Sequence, residues 1–215
     1  MQELIFGSNM IQWKALKPDL EPAKLVDVLS ELPFLDAMSI TASLLRGPLV
    51  LFEAGARLAI HRHVSARREE SGGLLLGHAF MPCELITAVS HPLVVISKAV
   101  ASHDYHGTGV SLQMGPSVWE TARMQAESTL LVVGWFHSHP NLGAFFSGTD
   151  RKTQREFFYH PYSIGYVVDP VRDKHAFFLG AESFDVPEDK VLRVTSAAVS
   201  RAGLAVSSES RENQL

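Results

Sequence analysis

The run Leu130 to Phe136 is apolar apart from one glycine and ends on His137-Ser-His139-Pro140. A short, uninterrupted apolar run of this kind reads as a buried strand. Side chains on a strand alternate with period two, so His137 and His139 face the same way. Six residues separate Pro140 from Ser147, and Asp150 follows at the spacing S-x-x-D. That spacing also opens helices, which predicts a helix from Ser147 to about Phe158 with Asp150 on its first turn. Two imidazole nitrogens and one carboxylate oxygen are three protein ligands for a zinc ion. They leave one position open for water, the arrangement of a hydrolytic rather than a structural site.

The rest of the chain bounds the possibilities. At 215 residues, 46% hydrophobic and 20% charged, it suits one globular domain with extensions. A net charge of −4 gives no electrostatic case for nucleic acid. One cysteine, Cys83, excludes an internal disulfide and a cysteine-built zinc cage. It has no histidine at a diagnostic spacing and reads as an inert thiol. Met1 to Phe6 lacks the basic segment and apolar core of a signal peptide. The window Leu85 to Val100 is cut by Ser90, His91, Pro92 and Lys98, so no membrane span is expected. These features lead to the expectation of a soluble, cytoplasmic protein with neither nucleic acid nor membrane as partner.

Residues 1–45 read as an N-terminal extension, 46–182 as the main domain and 183–215 as a C-terminal tail whose last fifteen or so polar residues fray. Glu21 to Leu32 carries apolar residues at helical spacing, with Pro22 in its first turn and Pro33 ending it. Strands are predicted at Pro48 to Phe52, Leu74 to Leu76, Leu85 to Val89, Leu93 to Ile96, Leu130 to Phe136, Ile164 to Val168 and His175 to Leu179. Helices are predicted from Ala54 to about Arg68 and from Ser117 to about Glu127, with a polar loop at Ala101 to Gly115. Strands and helices mix without strict alternation, which argues for an α+β, or mixed α/β, sandwich.

The pattern His137-Ser-His139-Pro140-(x6)-Ser147-x-x-Asp150, with Glu70-Ser-Gly-Gly73-Leu-Leu-Leu-Gly77 upstream, resembles the JAMM/JAB/MPN zinc metalloproteases. Val133 to Pro140 and Val167-Val-Asp-Pro170 look like the same family's flanking segments. The similarity covers roughly residues 48–180. It implies the JAB/MPN fold, a curved mixed sheet packed between helices. It also implies cleavage of an isopeptide or peptide bond after the C-terminus of a ubiquitin-like protein, in deconjugation or precursor processing. Carried over by position, His137, His139 and Asp150 would ligate one zinc per chain. Glu70 would act as general acid and base on the zinc-activated water, and Ser147 would stabilise the oxyanion. Ser138 receives no role. The partners implied are a ubiquitin-like protein or its conjugate, with associated conjugation enzymes. The eukaryotic endosomal branch adds a second zinc site after the S-x-x-D helix. Arg151 to Ser163 holds His160 but no cysteine, so one zinc is expected. The compact core is similar to the prokaryotic JAB-type members.

Other residues weigh less. Glu69 reads as a solvated charge beside Glu70. His61 and His63 diverge on a helical pattern and read as solvated. His103, Asp104 and His106 read as part of a substrate-facing loop whose exposed edge could pair with an extended tail. Trp119 and Trp135 read as core, and Trp13 as an anchor of the extension. Two other functions stay open: a non-catalytic MPN-type scaffold binding a ubiquitin-like partner, and a metallopeptidase trimming a sulfur-carrier protein.

Overall fold

The computed structural model describes residues 20–103, 105–108, 111–126 and 129–195. In chain order its elements are β1 (Ala23–Lys24), α1 (Leu25–Glu31), α2 (Phe34–Leu44), β2 (Leu49–Glu53), α3 (Ala54–Ser65), β3 (Gly72–Met81), β4 (Leu93–Ala101), β5 (Tyr105–Thr108), β6 (Ser111–Met114), α4 (Ser117–Ala126), β7 (Leu131–Ser138), α5 (Gly148–Phe157), β8 (Ile164–Asp169), β9 (Lys174–Leu179), β10 (Phe184–Val186) and β11 (Val191–Val194). The main sheet has the order β10-β9-β8-β7-β3-β4-β2-β11, with β1 added parallel to the end of β3. It is mixed: β3 pairs antiparallel with both β4 and β7, whereas β7 and β8 run parallel. The sheet is curved, as the family resemblance implies, and nearly closed; its mixture of strands and helices fits the α+β reading.

Helices cover both faces. On β2, Val50 and Phe52 point into a cluster with Ala56, Ile60 and Val64 of α3. Leu49 and Leu51 point the other way, toward Leu25 and Val28 of α1 and Leu44 of α2. A third cluster packs Val118, Ala122 and Ala126 of α4 on Leu74, Leu76, Trp135 and Val167. The N-terminal helices thus bury apolar side chains against the sheet. The sequence places one helix there; the structure has two, because Pro33 ends α1 and then serves as the N-cap residue of α2. Among the described residues no helix is long and apolar enough to cross a membrane.

Four further differences from the sequence reading have local causes. Leu85 to Val89 is not a strand. Glu84–Ile86 forms a 3-10 turn closed by Ile86 N–H to the Cys83 carbonyl, and Leu85 is left exposed. Ala101 to Gly115 is not a plain loop but contains the antiparallel pair β5–β6, a sheet of its own. The stretch after residue 182 carries two strands of the main sheet; β11 lies parallel to β2, with Val191 opposite Val50. Trp13 and the final residues from 196 onward lie outside the described residues, as does Asp104.

The fourth difference is His63. His61 is exposed as expected, but His63 is half-buried, edge-on to Phe136 at 6.2 Å and to His103 at 5.8 Å. Burial, with the charge of Arg67 and a contribution from His103, lowers its pKa from 6.5 to about 4. The folded chain therefore refuses a proton that the unfolded chain accepts below about 6.5. The contribution to stability is full above 6.5 and is lost as pH falls toward 4. Thermal denaturation of wild type should show a melting temperature that drops between pH 7 and pH 5. His63→Gln should shrink that drop, and an unchanged drop would show that His63 does not carry it.

Candidate metal centre

A β-bulge aims the histidines. Leu131 and Val133 point to the α3 side, and simple alternation would send Trp135 and His137 the same way. The register slips at this point. Leu75 of β3 pairs with Gly134 and Leu76 with Val132, which leaves Val133 as the extra residue. Beyond it the phase is reversed: Phe136 faces the α3 side, and Trp135 faces the α4 side with His137 stacked on it. Gly134 makes this possible. Its φ is +154°, and a Cβ there would lie 1.9 Å from the Ile164 carbonyl oxygen of β8. Gly134→Ala meets two costs of about 1–3 kcal/mol each, for backbone conformation and for overlap. It should lower stability by about 3 kcal/mol or more in chemical denaturation. A loss below about 1 kcal/mol would mean that the bulge tolerates a side chain.

Asp150 arrives from the other direction. Ser147 is the N-cap of α5 and forms a capping box with Asp150. The Ser147 hydroxyl accepts the Asp150 N–H at 3.2 Å, and Asp150 Oδ2 accepts the Ser147 N–H at 2.6 Å. The other carboxylate oxygen, Oδ1, lies 3.2 Å from His137 Nε2. One residue thus caps the helix and faces the histidines, as the S-x-x-D spacing suggests.

The three side chains converge. His137 Nε2 and His139 Nε2 are 3.1 Å apart, and His139 Nε2 is 3.7 Å from Asp150 Oδ2. The candidate donor atoms of His137, His139 and Asp150 all lie within 4.8 Å of one another, and all three residues are buried. Glu70 joins them from the segment before β3, with Oε1 3.7 Å from His139 Nε2 and only 3% of the residue exposed. Glu69 beside it is exposed. Ser147 is half-buried and adjoins the group through its capping bonds with Asp150.

The electrostatics suit a cation. Burial favours the protonated form of Asp150, but the hydrogen bond and charge of His137 and two hydrogen bonds from Ser147 outweigh it and hold the pKa at about 2. Burial and the neighbouring His137 lower His139, against the opposing charges of Asp150 and Asp169, which favours the neutral imidazole a metal needs. Burial raises Glu70 above the ordinary carboxylate value; His137 opposes this and Asp150 adds to it. Two buried imidazole nitrogens facing each other beside a carboxylate cannot all be satisfied by one another. A divalent cation of borderline softness fits that donor set.

Several supporting residues were not evident in the sequence. Ser138 is fully buried, and its backbone N–H donates to the Ser71 carbonyl at 2.8 Å while its hydroxyl accepts the Ser71 N–H at 3.1 Å. This ties the strand of the histidines to the residue after Glu70. Asp169, also fully buried, accepts the backbone N–H groups of Asn141, Gly143, Val171 and Arg172. These bonds overcome the effect of burial and keep its pKa below the usual carboxylate value. They pin the loop between His139 and Ser147, where Asn141 and Gly143 have φ of +62° and +96°. The available signals were the acid of Val167-Val-Asp-Pro170 and the small residue between the two histidines. Cys83 is a free, half-buried thiol.

The ubiquitin carboxyl-terminal hydrolase RPN11 of Saccharomyces cerevisiae is 37% identical over 71 residues, which are 31% of this chain and 23% of that protein. COP9 signalosome complex subunit 5 of Eremothecium gossypii is 39% identical over 71 residues, 32% of this chain and 17% of that protein. The chain thus spans less than a quarter of the length of these curated relatives. The solution structure of protein DSY2949 from Desulfitobacterium hafniense is similar with a TM-score of 0.49 at 16% identity, over 69% of this chain and 94% of that one. A sequence model described as prokaryotic homologs of the JAB domain matches residues 53–179, well over half of the chain, from the end of β2 through β9. The protein belongs to that family, the prokaryotic JAB-domain proteins.

Proposed function

We propose that the protein is a zinc metalloprotease that hydrolyses the peptide or isopeptide bond after the C-terminus of a ubiquitin-like protein. The observation that carries this reading is the convergence of His137, His139 and Asp150 on one buried point with Glu70 beside it. The yeast relative is a ubiquitin carboxyl-terminal hydrolase, which supports the substrate class.

His137 and His139 would hold one zinc through Nε2, and Asp150 through its carboxylate. Bound zinc supplies Lewis acidity, which polarises the scissile carbonyl and brings the pKa of a water down to about 7. Glu70 takes the proton of the attacking water and delivers it to the departing amine. Its burial suits that exchange, because a raised carboxylate pKa brings donor and acceptor roles closer together. The Ser147 hydroxyl, next to Asp150 at the start of α5, would donate to the substrate oxygen as charge builds there. Ser71 and Ser138 keep Glu70 close to the histidines. The hairpin β5–β6 follows directly from the end of β4, where Ala101 pairs with Gly73, three residues from Glu70. An extended substrate tail would pair with a strand edge there.

Incubation with linear and isopeptide-linked ubiquitin-like fusions, with and without chelator, tests the reading. Cleavage directly after the ubiquitin-like C-terminus, abolished by chelator and restored by zinc, is expected. Binding of such a partner without cleavage would indicate a scaffold, and hydrolysis confined to unrelated peptides would remove the substrate class.

A further inference from the structure

We propose that Trp135 and Gln154 are positioning residues of the metal centre, and that the hydrogen bond between them fixes the imidazole of His137 for metal binding. The inference rests on the reading of the site as a metal centre.

A histidine ligand is ordinarily oriented by a hydrogen bond at its second ring nitrogen. In His137 that nitrogen, Nδ1, is buried and has no partner among the described residues. The ring is held by its face instead. It stacks on the indole of Trp135 at 4.6 Å between centroids, with the planes 8° apart. Whatever fixes that indole therefore fixes the ligand.

Trp135 is itself held from α5. Its indole N–H donates to Gln154 Oε1 at 2.7 Å, and its ring also stacks on Phe158. Gln154 cannot turn freely, because its amide donates to the carbonyls of Phe158 at 3.2 Å and Ser163 at 3.1 Å. A fully buried glutamine is costly in a helix unless its polar atoms are paired, and the amide oxygen and nitrogen of this one are. Gly165 of β8 leaves the room: a Cβ there would sit 2.2 Å from Phe146 Cζ and 3.0 Å from Gln154 Oε1.

The spacing gives the arrangement its meaning. Gln154 lies one turn after Asp150, so both project from the same face of α5. They are the two buried residues of that helix, a polar face where an apolar one would be usual. A single rigid element therefore carries one ligand of the centre and the brace of another. Nothing in this arrangement touches substrate; it acts through His137.

The test is the zinc affinity of purified protein, read by competition with a chromogenic chelator well below the unfolding temperature. Trp135→Phe keeps an aromatic face but removes the donor; Gln154→Leu removes the acceptor. Each is expected to weaken zinc binding by roughly 10–100-fold. The double variant should bind no more weakly than the weaker single variant, because the same bond is already gone. Val28→Ala, in the α1 cluster, is the stability control and should lower the melting temperature without moving the affinity. If one of the site variants fails to fold, the other reads the same bond from its opposite end. Affinity unchanged in the folded variants, losses that multiply in the double variant, or an equal loss in the control would each overturn the inference while leaving the metal reading intact. Wild-type protein that takes up no zinc would overturn both. Wild type that binds zinc but cleaves no ubiquitin-like fusion would overturn only the proposed function.

Discussion

Glu70→Gln is expected to lower kcat for cleavage of a ubiquitin-like fusion by roughly 10²–10⁴, with the zinc content of the protein unchanged. Glutamine keeps the volume of the side chain and can still hydrogen-bond to a water, but it cannot accept and return a proton. The residue is nearly closed to solvent and sits 3.7 Å from His139 Nε2. Among the described residues, the other two carboxylates acting on His139 are already engaged, Asp150 with Ser147 and His137 and Asp169 with four backbone N–H groups, so neither takes its place. Because Glu70 is placed in the proton transfer and not in substrate binding, KM should move little. Steady-state kinetics with elemental analysis of the same preparation checks both halves. Wild-type turnover in this variant would remove the acid–base assignment.

Asp150→Ala is expected to abolish cleavage and leave zinc well below one per chain, because it deletes the one anionic ligand of three. It should also destabilise the protein in a way that can be separated from metal loss. The carboxylate that faces His137 also caps α5, and its removal orphans the Ser147 N–H. Loss of such a cap costs about 0.5–2 kcal/mol. Asp150→Asn separates the two roles. Its amide oxygen can still accept the Ser147 N–H, so stability measured without metal should return toward wild type. Its neutral amide is a poor zinc ligand, so metal content and activity should stay low. Stoichiometric zinc in the alanine variant would refute the ligand assignment. An asparagine variant as unstable as alanine would refute the cap.

The chemistry of the site was more legible in the sequence than its support. His137, His139, Ser147 and Asp150 stand at spacings that strand alternation and helix capping can interpret, and the structure brings the two histidines and Asp150 to one point. Glu70 could be attached only through the family resemblance, since nothing in sixty-odd intervening residues brings it to the histidines by local rules. The pairing of β3 with β7 does so, with Gly72 opposite His137. The bulge at Val133–Gly134 was hidden because a glycine in an apolar run does not by itself reveal which residue loses its partner. Without that slip, alternation places both histidines together but on the wrong face of the sheet. Leu85 to Val89 misled because short apolar runs carry no period, and the segment instead closes on itself through Ile86 N–H to the Cys83 carbonyl and Val89 N–H to the Ile86 carbonyl. β10 and β11 were missed because edge strands of three and four residues look like loop. His63 was read as solvated because helical periodicity gives a side chain's direction and not what the sheet brings against it. Trp135 was read as core, which it is, but its indole N–H needed a partner, and Gln154 at one helical turn from Asp150 was the residue to ask about.

The most direct test is the anomalous scattering of crystals grown with zinc, measured on either side of the zinc absorption edge. The expected result is a single strong site per chain, bonded to Nε2 of His137, Nε2 of His139 and the carboxylate of Asp150, with Glu70 beside its open side. Zinc bound elsewhere on the chain, or those three side chains turned away from one another with no metal between them, would contradict it.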